Sequence, residues 1–181
     1  ETDMAQPDNF GFGEEAALLK ASARKFFTDK FPTSRLHALV AGDHRPERGS
    51  QCLWDRELWQ QMVDLGWTML AVPETCGGVG MPAVAVAGLA EELGRAAFPC
   101  PLLGTINATY VLAACAGGAP ALTQIAEGKS ASLAITNRSG CWSPGATDVS
   151  CAGGKLNGTA WYVQDARKTD RLLVSAGSGA G

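Results

Sequence analysis

The chain has 181 residues, of which 46% are hydrophobic, and 15 basic against 18 acidic side chains give a formal net charge of −3. This composition excludes intrinsic disorder, which requires low hydrophobicity together with high net charge. It also leaves no electrostatic footprint for nucleic acid, because the longest basic cluster is Arg24-Lys25. No apolar run approaches the ~18 residues of a membrane span, and residues 1–10 are polar and acidic, unlike a signal peptide. We therefore expect a cytoplasmic protein of one domain or two small ones.

The cysteines and histidines do not have the spacing of a metal site. The six cysteines include no CxxC pair, and the only two histidines, His37 and His44, lie in one early segment. Zinc sites require Cys or His ligands clustered within a few residues of each other. The sequence therefore predicts no metal centre, and reduced cysteines that serve as small apolar side chains.

The first part of the chain has the periodicity of helices. Residues 14–30 form the first, and Pro32 is expected to end it before a polar loop at 41–51. Its predicted core face consists of Leu18, Leu19, Ala23, Phe26 and Phe27. A second helix is predicted from Trp54 to Leu65, with an apolar stripe formed by Trp54, Leu58, Met62 and Leu65.

Three more helices are predicted before residue 129. One begins after Pro82, spans 83–97 and is interrupted by Gly94 and Pro99, and the next, at 102–116, is mostly buried. A short helix at 121–129 ends at Gly128, which occupies the position just after the helix where glycine is favoured.

After Lys129 the pattern changes to short alternating or β-branched segments. Four strands are predicted, at 130–136, 146–154, 155–163 and 171–176. We interpret them as a small antiparallel sheet, which gives an α+β chain with a helical domain at 1–129 and a β domain at 130–181. Some fifty residues are too few for an independent β domain, so we expect only part of one here.

A glycine-rich stretch at 65–82, "LGWTMLAVPETCGGVGMP", raises the question of a phosphate-binding loop. It matches neither the GxGxxG dinucleotide fingerprint, which follows a strand, nor a loop ending in GK[ST]. A corner between two packed helices is favoured, because glycines supply positive φ and prolines bracket the turn.

The polar residues of the predicted helices have two interpretations each. Glu91 and Glu92 could carry acid–base chemistry, but Arg95 follows at helical spacing, which favours a solvated salt-bridge face. Thr105 and Tyr110 could line a ligand cavity, although core packing is the commoner role. From residue types and spacing alone, the sequence indicates no more than a helical domain joined to part of a β domain.

Four collinear segments resemble the acyl-CoA dehydrogenase family and cover nearly the whole chain. In order they are "LWQQMVDLGWTMLAVPETCGGVGM", "LAEELGRAAFPCPLL", "IAEGKSASLAIT" and "GKLNGTAWYVQDARKTDRLLVSA". The resemblance implies a helical N-terminal domain, a β middle domain and a C-terminal helical bundle, which is missing from this sequence. It also implies FAD, an acyl-CoA substrate from fatty acid or steroid side-chain catabolism, an electron-transfer flavoprotein as acceptor, and a homo- or hetero-oligomer.

The resemblance implies a set of site residues. Those expected at the flavin are Ile135, Thr136, Thr147, Tyr162, Val163 and Gln164. Leu103 and Thr105 are expected to contact the acyl chain, and the catalytic base is expected in the missing C-terminal part. Asn137 departs from the family, which usually has Glu there, and Ala160 stands where the family often has Lys.

Two functions therefore remain open from the sequence. The first is a flavin-dependent acyl-CoA dehydrogenase, or a subunit of one, that catalyses α,β-desaturation of an acyl-CoA. The second is a catalytically silent partner that stabilises an active homologue, or an inactive fragment; the altered 137–143 segment favours this interpretation.

Overall fold

Two helices separated by Phe31 and Pro32 begin the described chain. The computed structural model describes residues 13–41, 54–143 and 145–178. Helix α1 (Glu14–Lys30) has the predicted bounds, and Pro32 then starts helix α2 (Thr33–Ala41), which was not predicted. The Pro32 carbonyl accepts from the amides of Arg35 and Leu36, so the residue that ends one helix begins the next. The polar N-terminal segment and residues 42–51 of the predicted loop lie outside the described residues.

The remaining helices are close to the predicted ones. They are α3 (Arg56–Asp64), α4 (Ala83–Ala96), α5 (Leu102–Ala114) and α6 (Ala119–Ala126), with a 3-10 helix at Glu74–Cys76 between α3 and α4. Asp55 caps α3, because its Oδ1 accepts from the Leu58 amide at 2.9 Å. Gly94 does not interrupt α4, and Gly128 follows α6 with a φ of +96°, as predicted.

The main core lies among α1, α3, α4 and the start of α5. Its fully buried side chains include Phe27, Leu58, Met62, Leu89 and Leu102. Two predicted core positions are wrong: Leu18 is 70% exposed and Leu65 is 53% exposed. Leu65 is the residue that ends α3, and on α1 it is Leu19, not Leu18, that packs against the core. A second core packs α5 and α6 against the first strand, around Ala108, Ile125 and Ala131.

The described strands form two separate sheets, one of two strands and one of three, rather than the single sheet predicted. Strand β1 (Ala131–Ala134) pairs in parallel with β4 (Arg171–Val174), and β2 (Val149–Ala152) pairs antiparallel with β3 (Lys155–Gly158) and parallel with the short β5 (Gly177–Ser178). The antiparallel prediction is therefore correct for β2–β3 only. Residues 135–170 are long enough for the crossover that parallel pairing of β1 and β4 requires.

The predicted strand at 155–163 is shorter than expected. It ends at Gly158, and beyond it Trp161 forms only an isolated bridge with Thr136. Tyr162 and Asp165 have φ values of +54° and +50°, which no strand residue adopts. The chain therefore turns sharply at the residues that the family resemblance assigns to the flavin.

Candidate functional site

The candidate cofactor residues meet where β1 ends. Ile135 and Thr136 directly follow β1, and the Thr136 carbonyl accepts from the Trp161 amide at 2.9 Å. The main-chain carbonyl of Gln164 accepts from the hydroxyl of Ser132 at 2.7 Å, which fastens the 161–164 segment to β1. Residues 25 and 32 positions apart in the sequence are thus side by side.

Tyr162 is the most unusual residue of this group. Its side chain is 73% exposed, its φ is +54°, and its hydroxyl donates to the Arg138 carbonyl at 3.2 Å. A left-handed conformation costs a non-glycine residue about 1–2 kcal/mol, and such strain concentrates at functional sites. The conformation presents an aromatic surface to solvent beside the end of β1.

The other candidates differ in whether their side chains already form hydrogen bonds within the protein. Gln164 is exposed, and none of the described hydrogen bonds uses its side-chain amide. The Thr147 hydroxyl already forms two hydrogen bonds within the protein: it donates to the Ser175 carbonyl at 2.7 Å and accepts from the Val149 amide at 3.1 Å. Val163 lines a cavity of about 540 Å³ on the apolar face of the strands, together with Leu156 and Leu172.

The altered 137–143 segment forms a tight loop around Asn137. The Asn137 Oδ1 accepts from the amides of Ser139 and Cys141 at 3.1 and 2.9 Å, an arrangement that a longer Glu would not reproduce. The loop carries Arg138, whose guanidinium carbon lies 5.6 Å from the centroid of the Trp161 ring. Hydrogen bonds from Ser143 lower the pKa of the Cys141 thiol.

Sequence reasoning missed Arg138 and Trp161 as members of this group. The only local signal was an aromatic residue directly before Tyr162, and nothing in the sequence linked it to Arg138. Their contact arises from the turn of the chain after β3.

The two candidate substrate residues occupy different environments on α5. Leu103 is 40% exposed and shares an outer face with Tyr110 and Val111, which are exposed to a similar degree. Thr105 is 1% exposed and lies in the joint between α5 and β1. Its hydroxyl contacts the Pro101 carbonyl at 2.8 Å and the Ala131 amide at 3.0 Å. The structure therefore gives Thr105 a structural role, and its contact with a substrate stays a prediction.

The glycine-rich corner has no free amides with which to hold a phosphate. Each amide from Gly77 to Met81 donates to a main-chain carbonyl of residues 69–74, at 2.8–3.1 Å. Gly78 lies so close to Val72 that an added Cβ would fall 2.0 Å from the Val72 oxygen. The corner is a folded turn between helices, as the sequence predicted.

Glu92 is buried, whereas the sequence predicted a solvated face. Its side chain is 0% exposed and accepts from Arg24 Nη2 and Arg95 Nε, both at 2.7 Å. Hydrogen bonds from Arg24 and then from Arg95, against the cost of burial, hold its pKa at about 2. Glu91 does lie at the surface, 62% exposed, and pairs with Lys20 at 2.6 Å. A carboxylate so firmly held in its ionised form is a poor general base.

Comparison with known proteins identifies the family. Residues 13–124 match the acyl-CoA dehydrogenase N-terminal domain, which is more than half of the chain. The chain belongs to the acyl-CoA dehydrogenase family. The match starts at the residue before α1 and ends within α6, so it covers the helical part of the fold.

Relatives of the acyl-CoA dehydrogenase family agree with this assignment. Acyl-CoA dehydrogenase IpdE2 of Mycobacterium tuberculosis is 34% identical over 117 residues, which is 64% of this chain and 34% of that protein. Among solved structures, a variant of the Tcur3481-Tcur3483 steroid ACAD gives a TM-score of 0.76 at 29% identity, over 94% of this chain and 46% of that one. An acyl-CoA dehydrogenase from Bacillus anthracis complexed with FAD gives 0.68 at 20% identity, over 92% of this chain and 30% of that one, and shows the shared fold.

The sequence spans less than half of each of these relatives. The fold is that of the helical N-terminal domain followed by the start of the β middle domain, as the resemblance predicted. No helix in 13–41, 54–143 or 145–178 is long and apolar enough to cross a membrane.

Proposed function

We propose that this chain is part of a flavin-dependent acyl-CoA dehydrogenase, as the enzyme itself or as one subunit of a heteromeric one. The observation that supports this most is the convergence of Ile135, Thr136, Tyr162 and Gln164 at the end of β1. The similarity to the Tcur3481-Tcur3483 steroid ACAD supports a two-subunit assembly and a bulky acyl group.

The residues present fit a flavin. Tyr162 offers an exposed aromatic face against which a planar ring can pack, and Gln164 offers an exposed amide with both a donor and an acceptor. Bound FAD would accept a hydride from the β-carbon of the acyl-CoA, and an electron-transfer flavoprotein would receive the electrons. This chain would orient the ring through Tyr162, Val163 and Gln164 and through the backbone at Ile135 and Thr136.

The acyl chain would lie against the outer face of α5. Leu103 and Tyr110 form a partly exposed apolar surface there. We assign the proton-abstracting base to no residue of this sequence, because the buried carboxylate Glu92 is held in its ionised form by Arg24 and Arg95.

A silent-partner role is the second candidate. The observation that favours it is that several polar side chains near the proposed flavin site already form hydrogen bonds within the protein. The hydroxyls of Thr147 and Tyr162 donate to carbonyls, and the Asn137 side chain accepts from an amide of its own loop. A subunit of this kind would stabilise an active homologue through the shared interface without binding FAD itself.

The first test is the visible absorption spectrum of the purified protein, with the flavin released and counted per chain. Bound flavin that is lost in Tyr162→Leu but retained in Tyr110→Leu would support the flavin site, since both tyrosines are exposed and only Tyr162 lies beside β1. A colourless protein that forms a stable complex with a flavin-bearing homologue would replace this proposal with the silent-partner role.

A further inference from the structure

A basic groove lies on the side of the joint between helices and strands that the proposed flavin site does not use. We define it by Trp54, Arg56, Trp59, Lys129, Arg167 and Lys168, which line a cavity of about 320 Å³. It opens beside Ser130 and Asp170, where β1 and β4 begin. The proposed flavin residues follow the other end of β1, about 16 Å away along an extended strand of five residues.

The charge of the basic groove is opposite to that of the chain. Four cationic side chains line it against one carboxylate, Asp170, whereas the whole chain carries a net charge of −3. The Asp170 carboxylate is already used, because its Oδ2 accepts from the Ser130 amide at 2.9 Å and the Ser130 hydroxyl at 3.0 Å. A concave surface lined by charges of one sign concentrates its field on a counter-ion.

Three of the four cations lack a carboxylate partner. Lys168 pairs with Asp165 at 2.7 Å, but Arg56, Lys129 and Arg167 form no ion pair within the described residues. All three are exposed and line the same cavity, so an anion that enters it meets cations that no carboxylate of the described residues already occupies. Guanidinium groups are especially suited to phosphate, since their planar donors can bind two oxygens at once.

Two indoles form the wall of the basic groove. The rings of Trp54 and Trp59 lie 6.0 Å apart at 37°, and Trp59 is 93% buried, so the wall is rigid. The Arg56 guanidinium carbon lies over the Trp54 ring, 5.5 Å from its centroid, and adds a positive charge to the aromatic wall. Trp59 supports Trp54 from behind, and a planar base can contact the part of Trp54 that remains accessible while its phosphates meet the cations.

From these observations we propose that the basic groove binds a phosphate-bearing ligand of nucleotide size, with its ring against the accessible part of Trp54 and its phosphates on Arg56, Lys129 and Arg167. A compact ligand fits better than a protein surface because the cavity is small and its wall is aromatic. Binding at this site is independent of the proposed flavin site at the other end of β1.

The test is calorimetric titration of ADP into the full chain, in the assembly in which it purifies. The variant Arg56→Gln/Lys129→Gln/Arg167→Gln should weaken ADP binding at least about tenfold, and added salt should weaken binding to the wild type. The matched control Lys25→Gln/Lys30→Gln/Lys155→Gln removes three exposed cations elsewhere and should leave ADP binding unchanged. Adenosine, which lacks the phosphates, should bind far more weakly than ADP.

Three results would overturn the inference. Equal ADP affinity in the wild type and the groove variant would show that these cations do not hold the phosphates. Loss of ADP binding in Gln164→Ala, with retention in the groove variant, would place ADP at the proposed flavin site instead. Tighter binding of an oligoglutamate peptide than of ADP would identify the groove as a contact for an acidic protein segment.

Discussion

At the scale of single residues, Glu92 shows how burial and charge combine in this fold. Its carboxylate joins α4 to α1 through Arg24 and to its own helix through Arg95, and it has no exposed surface. A carboxylate with a pKa of about 2, against 4.5 unperturbed, stabilises the folded state fully above pH 4.5, and this contribution is lost as the pH falls toward 2.

Replacing Glu92 by Gln should therefore lower the free energy of unfolding at neutral pH by about 3 kcal/mol, because two guanidinium groups lose their partner. The difference from the wild type should shrink as the pH falls from 4.5 toward 2. Urea unfolding at a series of pH values measures both effects. The neighbouring Glu91→Gln, at an exposed pair, should cost less than about 0.5 kcal/mol. A penalty at Glu92 that is as large at pH 3 as at pH 7 would contradict this account.

At the scale of elements, the hydroxyl of Thr105 connects helix α5 to strand β1 by hydrogen bonds, in addition to the packing of the second core. Thr105 on α5 donates to main-chain carbonyls and accepts from the Ala131 amide, so it satisfies the first amide of β1 inside the second core. Thr109, one turn later and equally buried, only donates back to the Thr105 carbonyl.

Thr105→Val should thus destabilise the protein by about 1–3 kcal/mol, since the shape is kept but the buried Ala131 amide loses its acceptor. Thr109→Val should cost well under 1 kcal/mol. The Thr105 carbonyl loses the hydroxyl of residue 109 as a donor, but it still accepts a main-chain hydrogen bond within α5. Thermal and urea unfolding of the two variants provide the comparison. Normal stability in Thr105→Val with a raised KM for an acyl-CoA would instead favour the predicted substrate contact.

The glycine-rich corner is the second element whose geometry depends on a particular residue. Gly78→Ala should lower the free energy of unfolding by about 3 kcal/mol, because the new Cβ would collide with the Val72 backbone. Gly94→Ala provides the matched control, since a Cβ at this position in the last turn of α4 meets nothing within 4 Å, and it should stabilise the protein by up to about 1 kcal/mol. If Gly78→Ala folds normally but no longer binds a nucleotide that the wild type binds, the corner is a binding loop.

At the scale of the whole molecule, stability is concentrated in the helices. The main core joins α1, α3 and α4, whereas every residue of β3 is exposed and Leu156 and Leu172 are 56% and 48% exposed. The strands leave an apolar cavity of about 540 Å³ open on one face.

Amide hydrogen exchange should therefore separate the two parts of the chain. Amides of α4 should exchange with opening free energies near that of global unfolding, and those of β3 with values near zero. Mass spectrometry of deuterium uptake by the isolated chain measures this. A partner that covers the strands should raise protection in β3 and leave α4 unchanged. Uniform protection along the isolated chain would show that the strands are as stable as the helices.

The sequence alone determined five of the six described α-helices to within a few residues, the corner at 77–81, the change to strands after residue 129, and the family resemblance. These features follow from local periodicity and from glycine and proline positions, which neighbouring residues encode. Sequence reasoning missed α2, because Pro32 indicated only the end of α1. Pro32 also begins α2, whose Leu36 and Leu39 pack against the main core.

Only the tertiary structure decided the environments of individual polar groups. It buried Glu92, gave the Thr105 hydroxyl to β1, turned Tyr162 into a left-handed conformation beside Thr136, and gathered Arg56 and Arg167 into one groove. Each of these depends on contacts between residues tens of positions apart, to which local propensity contributes nothing. Periodicity predicts which face of a helix is apolar, but only packing determines which polar side chain that face encloses and what satisfies it.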